Sequence, residues 1–146
     1  MTRSDFERML IEHEGLRLKP YRDSVGKLTI GIGTNLSDGI TRTEALWLMR
    51  HRLEKAEKEL ISRFPVYKEL DTVRQFVLLD MAYNLGIPKL AGFKKMWAAL
   101  DLAVSYDYGF LHAAAEMLDS KWARQVGNRA KDLAYMMATG TKKTPQ

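Results

Sequence analysis

The run Glu14-Gly15-Leu16-Arg17-Leu18-Lys19-Pro20-Tyr21-Arg22-Asp23-Ser24-Val25-Gly26-Lys27-Leu28-Thr29-Ile30-Gly31-Ile32-Gly33 marks a change of structural period. Before it, Phe6, Met9, Leu10 and His13 follow helical spacing, Ser4 and Glu7 make an S-x-x-E capping box, and Gly15 suits the position past a helix end. The pattern predicts a helix over 4–14. From Leu16 to about Leu36, Tyr21, Leu28, Thr29, Ile30 and Ile32 favour strand, while Gly26, Gly31 and Gly33 exclude helix and permit tight turns. Ser24-Val25-Gly26-Lys27 reads as a hairpin turn. A ribbon of this kind can fold back over the helix end that carries Glu14. Two carboxylates in different environments on facing elements, here Glu14 and Asp23, are what hydrolysis of a glycosidic bond requires.

Downstream the chain returns to helix, over about 41–140. Thr41 and Glu44 form a second capping box, and the stripe Ala45, Leu48, Met49, Leu53, Ala56 and Leu60 runs on until Pro65. That helix is long enough to connect two lobes. Asp71 can cap a helix that reaches Leu85, with Gly86 beyond it. Phe76, Val77, Leu78, Leu79, Met81, Ala82 and Tyr83 make it apolar almost all round, the pattern of a helix buried at the centre of a bundle. Shorter helices are expected at about 93–103, 108–122 and 128–139, ended by Gly140, with 141–146 as a loose tail. The fold class is therefore α+β within a single domain, a β-ribbon lobe over about 16–36 beside a helical lobe.

With 146 residues, 46% of them apolar, the chain can bury a sizeable interior. It has no cysteine, which excludes disulfides, thiolate metal sites and a catalytic thiol. The start, Met1-Thr2-Arg3-Ser4-Asp5, has no apolar signal core, and no later run is apolar enough to span a bilayer, so no signal peptide, signal anchor or stable membrane insertion is expected. The net charge of +5 is uneven. Residues 1–120 carry 17 Lys/Arg and 17 Asp/Glu, whereas residues 121–146 carry six basic residues and one acidic. An anionic polymer suits such an end; so does plain solvation. His13, His51 and His112 are scattered, and no His/Asp/Glu cluster has ligand spacing, so no metal and no cofactor are expected.

Each candidate residue also has a structural reading. Glu14 lies in the last helical turn, where the macrodipole disfavours a second negative charge; partial burial there would suit a general acid. An exposed helix-end glutamate fits the same position. Asp23 before Ser24-Val25-Gly26 also fits a turn residue accepting backbone hydrogen bonds, and Thr29 a plain strand threonine. The alternation Thr29-Ile30-Gly31-Ile32-Gly33 lets backbone approach a ligand closely. Met81-Ala82-Tyr83-Asn84-Leu85-Gly86 ends the central helix with an aromatic and an amide. Ser120-Lys121-Trp122 and Asn128-Arg129-Ala130 supply a further aromatic and cations.

The stretch from Met9 to Gly33, with E-G-L-R-L-K-x-Y-x-D-x-x-G-x-x-T-I-G-I-G, resembles the active-site region of the phage T4-type lysozymes, endolysins of glycoside hydrolase family 24. Ala91-Gly92-Phe93, Ser120-Lys121-Trp122, Asn128-Arg129-Ala130-Lys131 and Thr139-Gly140-Thr141 extend the resemblance over nearly the whole chain. It implies a lysozyme-like fold with a cleft between the lobes, and a muramidase acting on peptidoglycan. Glu14 would be the general acid, Asp23 the second carboxylate, and Thr29 a residue that positions the attacking water. Arg129 matches the arginine that pairs with the family's catalytic glutamate. Gly33, Leu36, Tyr83 and Asn84 match supporting or substrate-binding positions. The resemblance further implies a monomer held in the host cytoplasm until a holin opens the way to the wall in the periplasm. Thr34 stands where the best-known member has a histidine, and the connection from Thr34 to Gly39 is shorter.

Three other functions fit parts of the sequence. A lytic transglycosylase needs the glutamic acid but no Asp-positioned water, so Asp23 and Thr29 argue against it. A catalytically silent wall-binding or tail-associated module shares the fold without the chemistry, and intact Glu14, Asp23 and Thr29 count against it. A nucleic-acid binder is disfavoured by the neutral first 120 residues and the lack of a binding motif, so no nucleic-acid partner is expected.

Overall fold

The structure is a computed structural model and describes residues 1–142. Helix α1 spans Arg3–Glu14. Its cap is not the expected Ser4/Glu7 box: Asp5 N–H donates to Thr2 Oγ1 at 3.1 Å and Thr2 N–H donates to Asp5 Oδ2 at 2.9 Å. The same x-x spacing occurs two residues earlier, and starting there adds helical hydrogen bonds while Asp5 also receives Arg8 Nη2 at 2.6 Å. Gly15 ends α1 at φ +79°, its N–H bonded to Ile11 O at 2.7 Å.

The ribbon follows as three antiparallel strands in the order β1-β2-β3: β1 Arg17–Arg22, β2 Leu28–Gly31 and β3 Thr34–Asn35. Tyr21 pairs with Thr29 and Arg22 with Leu28, yet Arg17 pairs with Gly31. Leu18-Lys19-Pro20 therefore oppose the single residue Ile30, a bulge on an edge strand, where a proline costs no ladder bond. The turn is one residue wider than expected, running from Asp23 to Lys27, and is closed by Gly26 N–H on Asp23 O at 3.0 Å.

Helix α2, Arg42–Arg63, carries the expected Thr41/Glu44 box, with both bonds formed at 3.0 and 3.1 Å. Pro65 stops it and opens a 3-10 turn, Pro65–Glu69. Helix α3, Thr72–Leu85, is capped by Asp71 and ended by Gly86. It is not buried all round: Val77, Leu78, Leu79, Met81 and Ala82 are, while Phe76 and Tyr83, seven residues apart and so on one face, are exposed. Helix α4, Ile87–Ala91, was not expected. Helices α5, Lys94–Ala103, and α8, Asn128–Thr139, fall where periodicity puts them. The expected helix at 108–122 is two, α6 Tyr108–Leu118 and α7 Lys121–Val126. Ser120 makes the break, because its Oγ accepts from Ala123 N–H at 3.0 Å and donates to Met117 O at 2.6 Å, starting a new helix and closing the old one. Gly140 caps α8 in the left-handed region. Thr141 and Lys142, the described part of the expected tail, carry no helix or strand; positions 143–146 lie outside the described residues.

The chain divides into two compact units, Met1–Leu48 and Met49–Gln146. Mostly helical with one small antiparallel sheet, it is α+β, as the sequence indicated. The hydrophobic core belongs to the second unit, where Leu78, Met81, Leu90, Met96, Leu100, Met117 and Met137 are fully buried. Arg74 ties that unit together: it donates to Met137 O at 2.7 Å and Ala138 O at 3.2 Å, pairs with Asp71, and lies 3.4 Å over the Phe110 ring. Two carbonyls at the end of α8 are thereby satisfied.

Candidate active site

Glu14 is the last residue of α1 and is exposed, so the partial burial attached to its acid role on sequence grounds is absent. Its side chain makes no hydrogen bond or ion pair among the described residues. The ribbon does return to it. Gly33 has φ +68°, and a Cβ added there would lie 3.0 Å from Glu14 Cδ, 3.4 Å from its Cβ, and closer still to Oε2. Glycine is thus required twice over, by the backbone conformation and by the carboxylate pressed against it.

Asp23 is, structurally, the turn residue of the plain reading. Val25 N–H and Lys27 N–H donate to its Oδ1 at 3.0 and 2.8 Å. Its Oδ2 has no partner among the described residues, so the carboxylate is fixed through one oxygen. Thr29 is the buried polar residue of the ribbon, 4% exposed, and its Oγ1 donates to Lys27 O at 2.9 Å. With its proton committed, that oxygen is oriented as an acceptor. Lys27 backbone thus links both residues, its N–H bonded to Asp23 and its C=O to Thr29. Asp23 N–H also reaches Lys27 O, at 2.9 Å, and Arg22 Nη1 braces the turn through Gly26 O at 3.0 Å. Backbone groups leave no residue-type signal, so sequence reasoning could not find this link. Leu36, half-buried, continues the ladder through its N–H on Leu28 O at 2.8 Å.

In the second unit, Asn84 Oδ1 accepts from Trp122 Nε1 at 2.8 Å, and Trp122 meets Phe93 edge-on at 6.2 Å between centroids. Tyr83 beside it is exposed. Arg129, matched on sequence to the arginine that pairs with the family's catalytic glutamate, makes an ion pair with Asp80 within the second unit: Nη2 and Nε approach Asp80 Oδ1 at 2.7 and 2.8 Å. The acid is on α3 and the arginine on α8, and no local pattern announces a pair 49 positions apart. The structure therefore brings Glu14 to Gly33, Asp23 to Thr29 through Lys27, and Asn84 to Trp122. Among the described residues there is no group of three or more His, Cys, Asp or Glu placed to hold a metal ion, and no helix long and apolar enough to cross a membrane.

Comparison with known proteins gives concordant matches. The family model described as phage lysozyme matches residues 11–135. "Probable T4-type lysozyme 1" of Dictyostelium discoideum is 27% identical over 94% of this chain and 96% of its own length. "Probable T4-type lysozyme 2" of the same organism is 25% identical over 96% and 97%. The pre-baseplate central spike protein of Enterobacteria phage T4 is 29% identical over 90% of this chain, which spans 27% of that longer protein.

Proposed function

The chain belongs to the phage lysozyme family, with a lysozyme-type glycosidase function, and from that premise we propose a peptidoglycan muramidase that cleaves the β-1,4 bond between N-acetylmuramic acid and N-acetylglucosamine. The observation that carries the proposal is the Glu14 carboxylate held against Gly33 on the ribbon whose turn fixes Asp23 and Thr29. Glu14, in its protonated form, gives its proton to the glycosidic oxygen as the bond from that oxygen to the anomeric carbon breaks. A water bonded to Thr29 Oγ1 attacks the anomeric carbon, and Asp23 Oδ2 takes the proton the water loses. This single displacement inverts the anomeric centre and calls for carboxyl groups roughly 6.5–9.5 Å apart. Gly33, Leu36, Tyr83, Asn84 and Arg129 are supporting residues in this reading.

The test is the digestion of purified peptidoglycan by wild type, Glu14→Gln and Asp23→Asn. Released fragments with reducing-end muramic acid are expected, with a loss of about 10²–10⁴-fold for Glu14→Gln, the usual share of general acid catalysis. Anhydro-muramic ends would reassign the chain to transglycosylation, and no release across pH and salt would remove the enzymatic reading. The same reading makes the protein a monomeric endolysin that causes lysis, kept in the host cytoplasm until a holin lesion gives it the wall. The spike-protein match favours a second setting, the same catalysis within a phage particle. Host lysis on induction with a holin, and none without it, separates the endolysin role from that one.

A further inference from the structure

The turn joining α5 and α6 carries an apolar surface that the chemistry above does not use. Leu102, Val104, Tyr106, Tyr108 and Leu111 are all exposed there, Tyr106 by 56% and Tyr108 by 50%. The rings form a ladder: Tyr106 and Tyr108 stack at 5.6 Å between centroids, and Tyr108 meets exposed His112 edge-on at 5.7 Å. Large aromatic side chains held in contact with each other and left in water mark an interaction surface.

This surface is held in shape by the backbone. Ser105 and Tyr106 N–H groups bond Leu102 O at 3.1 and 3.0 Å, Gly109 N–H bonds Tyr106 O at 2.9 Å, and Phe110 N–H bonds Asp107 O at 3.1 Å. Gly109 lies backbone to backbone on α5: a Cβ there would fall 2.6 Å from Ala99 O and from Ala103 N. A rigid ring ladder loses little freedom when it binds.

Charge narrows the partner. The 25 residues from Met96 to Ser120 contain Asp101, Asp107, Glu116 and Asp119 and no lysine or arginine, in a chain of net charge +5. Lys94 and Lys95 line a pocket with Glu116 and Asp119 at the far ends of α5 and α6, and Arg74, over Phe110, is already bound to Asp71 and two carbonyls, so Asp101 and Asp107 are the charged residues next to the turn. Anionic lipid and nucleic acid are therefore repelled here. Next to the rings in the chain stand Ser105 and Asp107, residue types depleted at the cores of protein interfaces, which argues against a second copy of this chain. Flat rings whose chain neighbours are short hydrogen-bonding side chains suit an uncharged saccharide, whose C–H faces rest on the π faces while its hydroxyls meet polar groups.

We propose that Tyr106, Tyr108 and His112 form a docking platform for an uncharged N-acetylhexosamine polymer, holding the protein on an insoluble glycan. The polymer class rests on the muramidase reading; the platform itself rests on the ring geometry and the charge. The test measures binding of the full chain with Glu14→Gln to chitin beads, an uncharged N-acetylglucosamine polymer, at low and high salt. Retention is expected at both, with Tyr106→Ala and Tyr108→Ala each weakening it by on the order of fivefold and Tyr106→Phe retaining it. Unchanged melting of each variant separates lost docking from lost folding. Absence of chitin binding, or its persistence in the Tyr106→Ala/Tyr108→Ala double variant, overturns the platform. Sedimentation showing a dimer that the double variant dissolves also overturns it, in favour of a self-interface. A wild-type chain that releases muramic ends from peptidoglycan but ignores chitin overturns the platform alone, leaving the enzymatic reading intact.

Discussion

In residues Met1–Leu48 the buried side chain is a threonine, Thr29, whereas the unit from Met49 onward holds every buried hydrophobic residue of the described chain, from Leu60 to Met137. Helix α1 buries none of its twelve residues, and β1 is exposed but for half-buried Tyr21. The two units therefore keep their shapes by different means. The first depends on hydrogen-bonded turns and on glycines at positive φ, and its candidate chemistry sits on those same turns. The second depends on close packing, with Leu78, Met96, Leu100 and Met117 out of reach of water. A region of the first kind is damaged by changing the backbone's options, one of the second kind by removing volume.

Four substitutions and one condition would break or sharpen that contrast. Leu100→Ala should destabilise the protein most, by about 2–5 kcal/mol in urea unfolding, from lost burial plus a cavity. Leu10→Ala on exposed α1 should cost under about 1 kcal/mol, and equal losses at the two sites would end the distinction. Arg74→Met should cost about 1–3 kcal/mol, because Met137 and Ala138 carbonyls lose a charged donor; a neutral result in the same assay would mean that water replaces it. Gly33→Ala reverses the balance. It should cost about 1–2 kcal/mol for the left-handed backbone, yet lower wall hydrolysis tenfold or more, since its methyl group displaces Glu14. An undiminished rate in Gly33→Ala would show that the contact does not place the carboxylate.

The smallest effect is acid sensitivity of the helix starts. Hydrogen bonds from the Thr2 backbone and side chain, then from Arg8, hold Asp5 below the usual carboxylate range; the Thr41 backbone and hydroxyl do the same for Glu44. Both are lowered in the folded state, so their stabilisation is present above the ordinary carboxylate pKa and is lost as pH falls through the lowered values. Melting temperature followed through the acid range should fall less steeply for an Asp5→Asn/Glu44→Gln double variant than for wild type.

Local signals were legible wherever one residue answers to its near neighbours. Thr41 with Glu44, Asp71, Gly86 and Gly140 each end a helix through contacts within four positions, and periodicity located α5 and α8. The choice between Thr2 and Ser4 as the first cap was not legible, since both spacings satisfy the rule and the longer helix wins. The break at Ser120 was missed because apolar spacing continues through it while its hydroxyl serves two helices at once. Phe76 and Tyr83 look like core residues in a helical period, and only the packing of α3 shows which face is open.

The sequence by itself determined the helix ends at Thr41, Asp71, Gly86 and Gly140, the α+β class, the family, and Glu14, Asp23 and Thr29 as candidates, since these rest on residue type and short spacing. Tertiary structure alone decided that Gly33 abuts Glu14, that Lys27 joins Asp23 to Thr29 through its peptide groups, that Arg129 pairs with Asp80, and that Tyr106, Tyr108 and His112 form one surface. The reason is common to all four. Each depends on where backbone or side-chain atoms lie after the chain has turned back on itself, and residue identity along the chain does not record that distance.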